Sequence, residues 1–329
     1  MITRSLRSPL CSFRSLSPKR YDEVCRWQLG GDLPAAIKSL VLQSPEPPLD
    51  CDLIFSSLPG GIARQVEGNF ARSGYPVISN SSPFRMEPDV PLLIPEVNHG
   101  HLRLVDVQRE GNLSGGFIVT NPNCSAVMLA LVMSPLQRQF GVEAVASVTM
   151  QALSGAGYPG VASLDIIDNV LPYIEHEEEK IESETRRILG RISGDQIEAA
   201  PIAVSAQCHR VNVSDAHMAA VRVKLAQRAP LEEIQDALAS FVSLPQELRL
   251  HSAPAHPIIL RPEKDRPQPR LDRDAGKGMS VTVGRLMPET VMDFRFVVLS
   301  HNTIRGADRR GDLKCRIANR YRATRQPKS

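Results

Sequence analysis

The sequence predicts an α/β protein in two parts, a parallel-sheet first part and an α+β second part, and three observations carry that expectation. An apolar strand, a helix of 3.6-residue period and a second apolar strand follow one another between Asp52 and Ser79. A short apolar run, Phe117-Ile118-Val119-Thr120, leads through Asn121-Pro122-Asn123-Cys124-Ser125 into an amphipathic stretch from Ser125 to Phe140. Beyond it the strands lengthen and alternate polar with apolar residues, the pattern of a sheet packed on one face.

The elements follow in order. The strand Asp52 to Ser57 gives way to a helix with Ile62, Val66 and Phe70 on one face, a glycine stop at Gly74, and the strand Tyr75 to Ser79. This βαβ unit implies parallel pairing with ligands at the carboxyl ends of its strands, where Ser56, Ser57 and Leu58 lie. In the second part, Ala146 to Leu153, Ile202 to Cys208, His217 to Leu225 and Met279 to Arg285 read as alternating strands, with the far face covered by helices or by a second subunit. Pro230 to Val242 sets Leu231, Ile234, Leu238 and Phe241 on one face behind a first-turn proline, and predicts a covering helix. Ala253 to Arg270 holds five prolines and is expected to be an extended arm without regular structure.

Composition bounds the function. A chain of 329 residues with 42% hydrophobic content can bury a large core and is long enough for two domains. No run of 18 apolar residues exists, so no membrane span is expected. The net charge of +3 hides a division: residues 1–20 contribute +5 and residues 308–329 contribute +6, leaving −8 in the body. A basic nucleic-acid-binding face is therefore not expected. The six cysteines, at 11, 25, 51, 124, 208 and 315, form no CxxC pair, which predicts a reduced intracellular protein with one reactive thiol and no metal site.

That thiol is Cys124. A strand that ends in a cysteine opening a helix sets the sulfur beside unpaired backbone N–H groups at the positive end of the helix dipole, which favours thiolate. A lone cysteine is ordinarily a small buried hydrophobe. Two further segments argue for chemistry instead: Met150 to Gly160, a strand running into the glycine-rich turn Ser154-Gly155-Ala156-Gly157, and Cys208-His209-Arg210 to Ala216-His217.

With these segments in place the chain closely resembles the aspartate-semialdehyde dehydrogenases, particularly their archaeal and fungal branch. The resemblance runs from about Arg14 to Ala307 and rests on FIVTNPNCS, TMQALSGAGYPG, LDIIDNVLPYI, EHEEEKIESET, RPQPRLDR from Arg266 to Arg273, and VVLSHNTIRGA from Val297 to Ala307. It implies NADP-linked interconversion of aspartate β-semialdehyde and phosphate with β-aspartyl phosphate, through a thioester on Cys124, in lysine, threonine and methionine biosynthesis. N-acetyl-glutamyl-phosphate reductase sets its cysteine in Pro-Gly-Cys-Tyr and glyceraldehyde-3-phosphate dehydrogenase in Ser-Cys-Thr. This chain has neither.

The resemblance implies His217 as acid/base and Gln151 as a group orienting substrate beside Cys124. Arg210 matches the arginine that takes the substrate carboxylate, for which a planar fork is suited. Arg85, Lys180, Glu177 and Asn123 are expected at the phosphate and substrate, with Glu177 and Lys180 close enough on one helix face to pair. Read without the resemblance, Lys180 is one charge on a solvated helix. Cofactor contacts are expected from Ser12, Arg14 and Ser15 to the 2′-phosphate of NADP, and from Ser56, Ser57, Leu58, Ser154, Gly155 and Asn302. Where the family has glycine before the histidine, this chain has Ala216. A positive φ there would cost the alanine about 1 kcal/mol.

The implied architecture is an incomplete Rossmann-like NADP-binding domain (1–123), a catalytic and dimerisation domain (124–301), and a return to the first domain ending in a basic tail (302–329). The family's Gly-rich pyrophosphate loop has no counterpart before Gly30, so the first strand and helix of the nucleotide fold are expected to be missing and NADP binding to be weak. A second reading is accordingly a non-catalytic homodimeric paralogue. The implied assembly is a homodimer or homotetramer through the alternating sheet. The expected location is the cytoplasm, with an organellar transit peptide in the basic first 20 residues as the minor alternative.

Overall fold

The computed structural model describes residues 44–111, 114–157 and 159–308, together with the backbone of three short strands at 2–4, 13–16 and 42–43. The chain divides into two compact units, one of residues 1–91 with 102–121 and one of residues 92–101 with 122–329. The second unit thus takes in a short segment, Leu92–His101, that lies before the expected boundary at 123/124. It also holds residues 302–308, expected in the first domain: Arg305 is buried there on Glu96, and Asn302 on Ala216.

The first unit is built on a six-stranded sheet in the order β3-β2-β1-β4-β5-β6, with β1 Ile2–Arg4, β2 Phe13–Leu16, β3 Leu42–Gln43, β4 Leu53–Ser56, β5 Pro76–Ser79 and β6 Phe117–Thr120. The predicted βαβ unit is present. β4, β5 and β6 pair in parallel, and α1 (Gly60–Arg72) crosses between the first two with Phe70 fully buried. Ile54, Phe70, Val77, Val90 and Ile118 close this core.

Ile2–Arg4 lies between β2 and β4 and runs antiparallel to both, so this place is not held by the parallel first strand of a complete nucleotide fold, in keeping with the incomplete Rossmann-like domain expected. Residues 5–12 are too few for a parallel crossover, which needs about a dozen or more, so the segment joins β2 in antiparallel sense. An interior position left open would strand the backbone groups of β4.

The second unit carries a six-stranded sheet in the order β10-β7-β11-β14-β13-β12, formed by β7 Val142–Gln151, β10 Ala203–Arg210, β11 His217–Leu225, β12 Ile258–Arg261, β13 Val281–Pro288 and β14 Phe294–Ser300. A separate hairpin pairs β8 (Arg191–Ser193) with β9 (Gln196–Glu198). The expectation of an extended arm without regular structure is corrected. Four residues between Pro257 and Pro262 form β12, which pairs in parallel with β13 at the sheet edge, where flanking prolines cost no ladder bond.

α2 (Leu104–Glu110) belongs to the first unit, and the long α3 (Cys124–Phe140) is the core of the second. α3 is buried from Ser125 to Leu136, apolar nearly all round as a central helix must be. Ile181 and Ile188 of α4 (Glu177–Ile188) and Ile234 and Leu238 of α5 (Leu231–Ala239) complete that core with the inward residues of the sheet. The other face of the sheet remains half open, with Ala146, Val148 and Met150 beside Met218 and Ala220.

The outer edge of β10 is occupied by helix side chains rather than by another strand. Glu178 Oε1 accepts from the Cys208 N–H at 2.9 Å and Glu182 Oε1 from the Ala206 N–H at 3.0 Å. One turn apart on α4, these carboxylates match the two-residue spacing of outward N–H groups on the strand.

Candidate active site

The turn after β6 delivers the chain to Asn123, the N-cap of α3. Its Oδ1 accepts from the N–H groups of Ser125 (2.8 Å) and Ala126 (3.1 Å), which leaves Cys124 at the first helical position, partly exposed. Two carboxylates of α4 fix the cap in turn. Asn123 Nδ2 donates to Glu177 Oε1 at 2.6 Å, and the Asn123 N–H donates to Glu184 Oε2 at 2.5 Å. The acidic run predicted as a solvated helix therefore buries one stripe, Glu177 and Glu184, under the nucleophile's turn.

From β7 comes Gln151, whose Nε2 donates to the same Glu177 Oε1 at 3.2 Å. Arg210 ends β10, almost wholly buried, with Nη1 donating to Ala152 O at 2.7 Å. The residues thus share one clasp: Glu177 holds both amides, and Ala152 meets Arg210 through its carbonyl and His217 through its N–H.

His217 opens β11 and is 1% exposed. The Ala152 N–H donates to its Nδ1 at 3.0 Å, which assigns the tautomer with the proton on Nε2. That Nε2 has no partner among the described residues. Burial, reinforced by the Arg210 charge, pushes the imidazole down to about 3, so the ring is neutral at physiological pH.

The residue before it has the anticipated strain. Ala216 has φ +85°, and its N–H donates to Asn302 Oδ1 at 2.9 Å. Asn302 Nδ2 in turn donates to Ser154 Oγ at 2.9 Å in the glycine-rich turn. A Cβ on Gly155 would come within 2.7 Å of Arg210 Nη1 and His217 Cε1, so this turn lies directly on both.

Two expected placements differ. Lys180 forms no ion pair with Glu177, whose Oε1 instead receives the amides of Asn123 and Gln151. Ser56, buried, gives its hydroxyl to Glu67 Oε1 at 2.5 Å, and Ser79 donates to the same oxygen at 2.9 Å. Burial raises the Glu67 carboxyl above its ordinary range.

The other expected residues fall as follows. Ser57 is exposed and Leu58 buried at the end of β4, while Arg85 Nη2 donates to Asn80 O at 2.8 Å; these lie in the first unit. Arg14 and Ser15 are in β2, in register with Thr3 and Ile2. Ser12 lies outside the described residues. Cys124, Asn123, Gln151, Ser154, Gly155, Glu177, Lys180, Arg210, His217 and Asn302 belong to the second unit. No metal-holding cluster of His, Cys, Asp and Glu occurs among the described residues.

Sequence reasoning missed three contributors. Glu184 secures the cap. Gly306, in the π-helical turn Ile304–Asp308, stands where a Cβ would approach the Cys124 Cβ to 2.9 Å. Arg305 in the same turn is fully buried, with Nη1 on Glu96 Oε1 at 2.6 Å and on Met279 O at 3.2 Å. All three lie within blocks that carry the resemblance, Glu184 in EHEEEKIESET and Arg305 and Gly306 in SHNTIRGA, but nothing in those blocks singles them out.

Comparison with known proteins shows which family the chain resembles. Residues 9–105 match the family model for the NAD binding domain of semialdehyde dehydrogenases, and residues 133–305 match the one for their dimerisation domain. The chain is 49% identical to an aspartate-semialdehyde dehydrogenase of Archaeoglobus fulgidus over 88% of its own length and 83% of that protein. It is 41% identical to a malonyl CoA reductase (NADP) of Metallosphaera sedula over 91% of this chain and 85% of that one. A crystal structure of the Candida albicans aspartate-semialdehyde dehydrogenase with NADP superposes with a TM-score of 0.87 at 35% identity, covering 95% of this chain and 92% of that one.

Proposed function

The chain belongs to the aspartate-semialdehyde dehydrogenase family, and from that premise we propose how its own residues carry out the reaction. It is an NADP-dependent oxidoreductase that reduces β-aspartyl phosphate to aspartate β-semialdehyde in amino-acid biosynthesis. The observation that carries the assignment of roles is Cys124 at the capped N-terminus of α3, in one unit with Gln151, Arg210 and His217. The reading as a non-catalytic paralogue is not favoured, given this intact set and 49% identity to a relative named for the enzyme.

The Cys124 thiolate adds to the acyl carbon, phosphate departs, and a thioester remains. NADPH supplies the hydride that reduces the thioester. His217, neutral with its proton on Nε2, keeps that proton and hydrogen-bonds through it to the oxygen on which negative charge develops, and collapse of this hemithioacetal oxyanion re-forms the carbonyl, expels the Cys124 thiolate and releases aldehyde. Arg210 holds the substrate α-carboxylate, which also offsets the positive charge that depresses His217. Glu177 fixes Gln151 and Asn123 for substrate contact, while Arg85, Lys180 and the Asn123 amide serve phosphate.

The described residues fit the dinucleotide. α1 starts just beyond the carboxyl end of β4 with no side-chain cap and no acid in its first turn, as an anion-accepting helix end requires. The bare Gly155 backbone over Arg210 and His217 admits close approach of a flat ring. In the first unit the candidate contacts are Ser57 and Leu58, with Arg14 and Ser15 for the 2′-phosphate; in the second unit they are Ser154 and Gly155.

A second copy covers the open sheet face of the second unit, so the functional particle is a homodimer or a tetramer built of it, working in the cytoplasm. Among the described residues no helix is long and apolar enough to cross a membrane. Steady-state turnover of aspartate β-semialdehyde with phosphate and NADP+, against N-acetyl-glutamate semialdehyde, glyceraldehyde-3-phosphate and malonyl-CoA with NADPH, tests the assignment. Preference for any competitor overturns it.

A further inference from the structure

We propose that Asn302 is a positioning residue that holds residue 216 in its left-handed backbone conformation and thereby aims His217. The proposal rests on the reaction assigned above and gives Asn302 a different task from the cofactor contact expected of it.

Ala216 sits at φ +85°, a conformation glycine adopts freely and alanine resists. Left alone, it would relax to negative φ and redirect the chain at the next residue, which is His217. What opposes this is one amide, 5% exposed, that bonds at both ends. Its Oδ1 accepts the Ala216 N–H and its Nδ2 donates to Ser154 Oγ, each at 2.9 Å. The amide therefore joins residue 216 to the turn whose Gly155 lies against the His217 ring and whose neighbour Ala152 bonds His217 Nδ1. One acceptor position and one donor of the Asn302 amide are thus engaged in this clamp.

If the clamp acts through strain, losing it should matter less when residue 216 is glycine. N302A is expected to lower kcat by roughly 10- to 100-fold, the worth of one buried hydrogen bond with displacement of the group it aims. KM for NADPH should hold within about twofold, since a positioning residue makes no ground-state contact with the cofactor. Adding A216G to N302A should recover most of the lost kcat, a coupling that independent sites would not show.

A second readout needs no substrate: NMR titration of the imidazoles. In the parent protein the His217 ring, facing Arg210 and His301, stays neutral through pH 6. In N302A it should titrate toward the ordinary histidine range, and in N302A/A216G it should return to the neutral form. A raised KM for NADPH with unchanged kcat and unchanged His217 titration overturns the proposal and makes Asn302 a cofactor contact. So does a double variant that fails to fold, or folds with His217 still titrating near its ordinary range. Failure of the parent chain to turn over aspartate β-semialdehyde would strike the assigned reaction instead, leaving the titration to decide the clamp.

Discussion

Gly306 and Cys124 stand so close that a methyl on the glycine would lie 2.9 Å from the cysteine Cβ. The π-helical turn that carries Gly306 therefore forms a floor beneath the nucleophile. G306A should displace the thiol and cost about 1–3 kcal/mol of stability through overpacking. We expect kcat/KM to fall at least tenfold by the conversion of such a displacement into barrier height. Kinetics paired with thermal unfolding will check this, and an unimpaired variant would show that Cys124 does not depend on the contact.

The thiols differ in kind. Burial, with Glu177 and Glu178 nearby, pushes Cys208 up to about 11, so it carries almost no thiolate at neutral pH. Alkylation by iodoacetamide at pH 7, read by mass spectrometry of the peptides, should therefore mark Cys124 and spare Cys208. C124S should abolish turnover with the fold retained. Comparable labelling of both sites would remove the case for an activated nucleophile.

Glu177 receives two amides on one oxygen, from Asn123 and Gln151. E177Q keeps an acceptor there and should be tolerated better than E177A, which strands both donors at a cost of about 1–3 kcal/mol. Comparing melting temperature and kcat for the two variants separates this from a simple charge effect. Equal loss in both would show that the negative charge, rather than the acceptor, is what matters.

His101 predicts an acid limb of stability. It is buried, with Nδ1 3.0 Å from Asn98 Nδ2 and Nε2 3.1 Å from Gly190 O, and burial pushes it down to about 4 from 6.5. Between those values the unfolded chain binds the proton and the folded chain does not, so stability is full above pH 6.5 and falls as the pH drops toward 4. The loss from this group is roughly 3 kcal/mol. Denaturant unfolding across that range should show the slope, and H101Q should reduce it while leaving the part that buried His217 contributes over the same range.

Much of the site is legible in the sequence because its parts sit at element ends. Cys124 follows a strand and opens a helix, His217 opens an alternating strand, and Ala216 stands where the family keeps glycine. Those positions follow from local periodicity and from motif resemblance. Contacts that close through space are another matter. Arg305 meets Glu96 across 209 positions of chain, and Glu184 reaches Asn123 across 61. The acidic run that contains Glu184 has the composition of a solvated helix, and only its packing against α3 tells the buried stripe from the exposed one. β12 was hidden differently, since the prolines that argue against a strand stand just outside its four residues.

The carboxylates along the outer edge of β10 also close that edge to strand addition. An open strand edge is a template onto which another chain adds its own strand, and repeated addition builds aggregates. Here Glu178 and Glu182 have already taken the outward N–H groups of Cys208 and Ala206. Two such edges meeting would also bring like charges together. An edge whose outward N–H groups are already bonded offers little for a further strand to pair with.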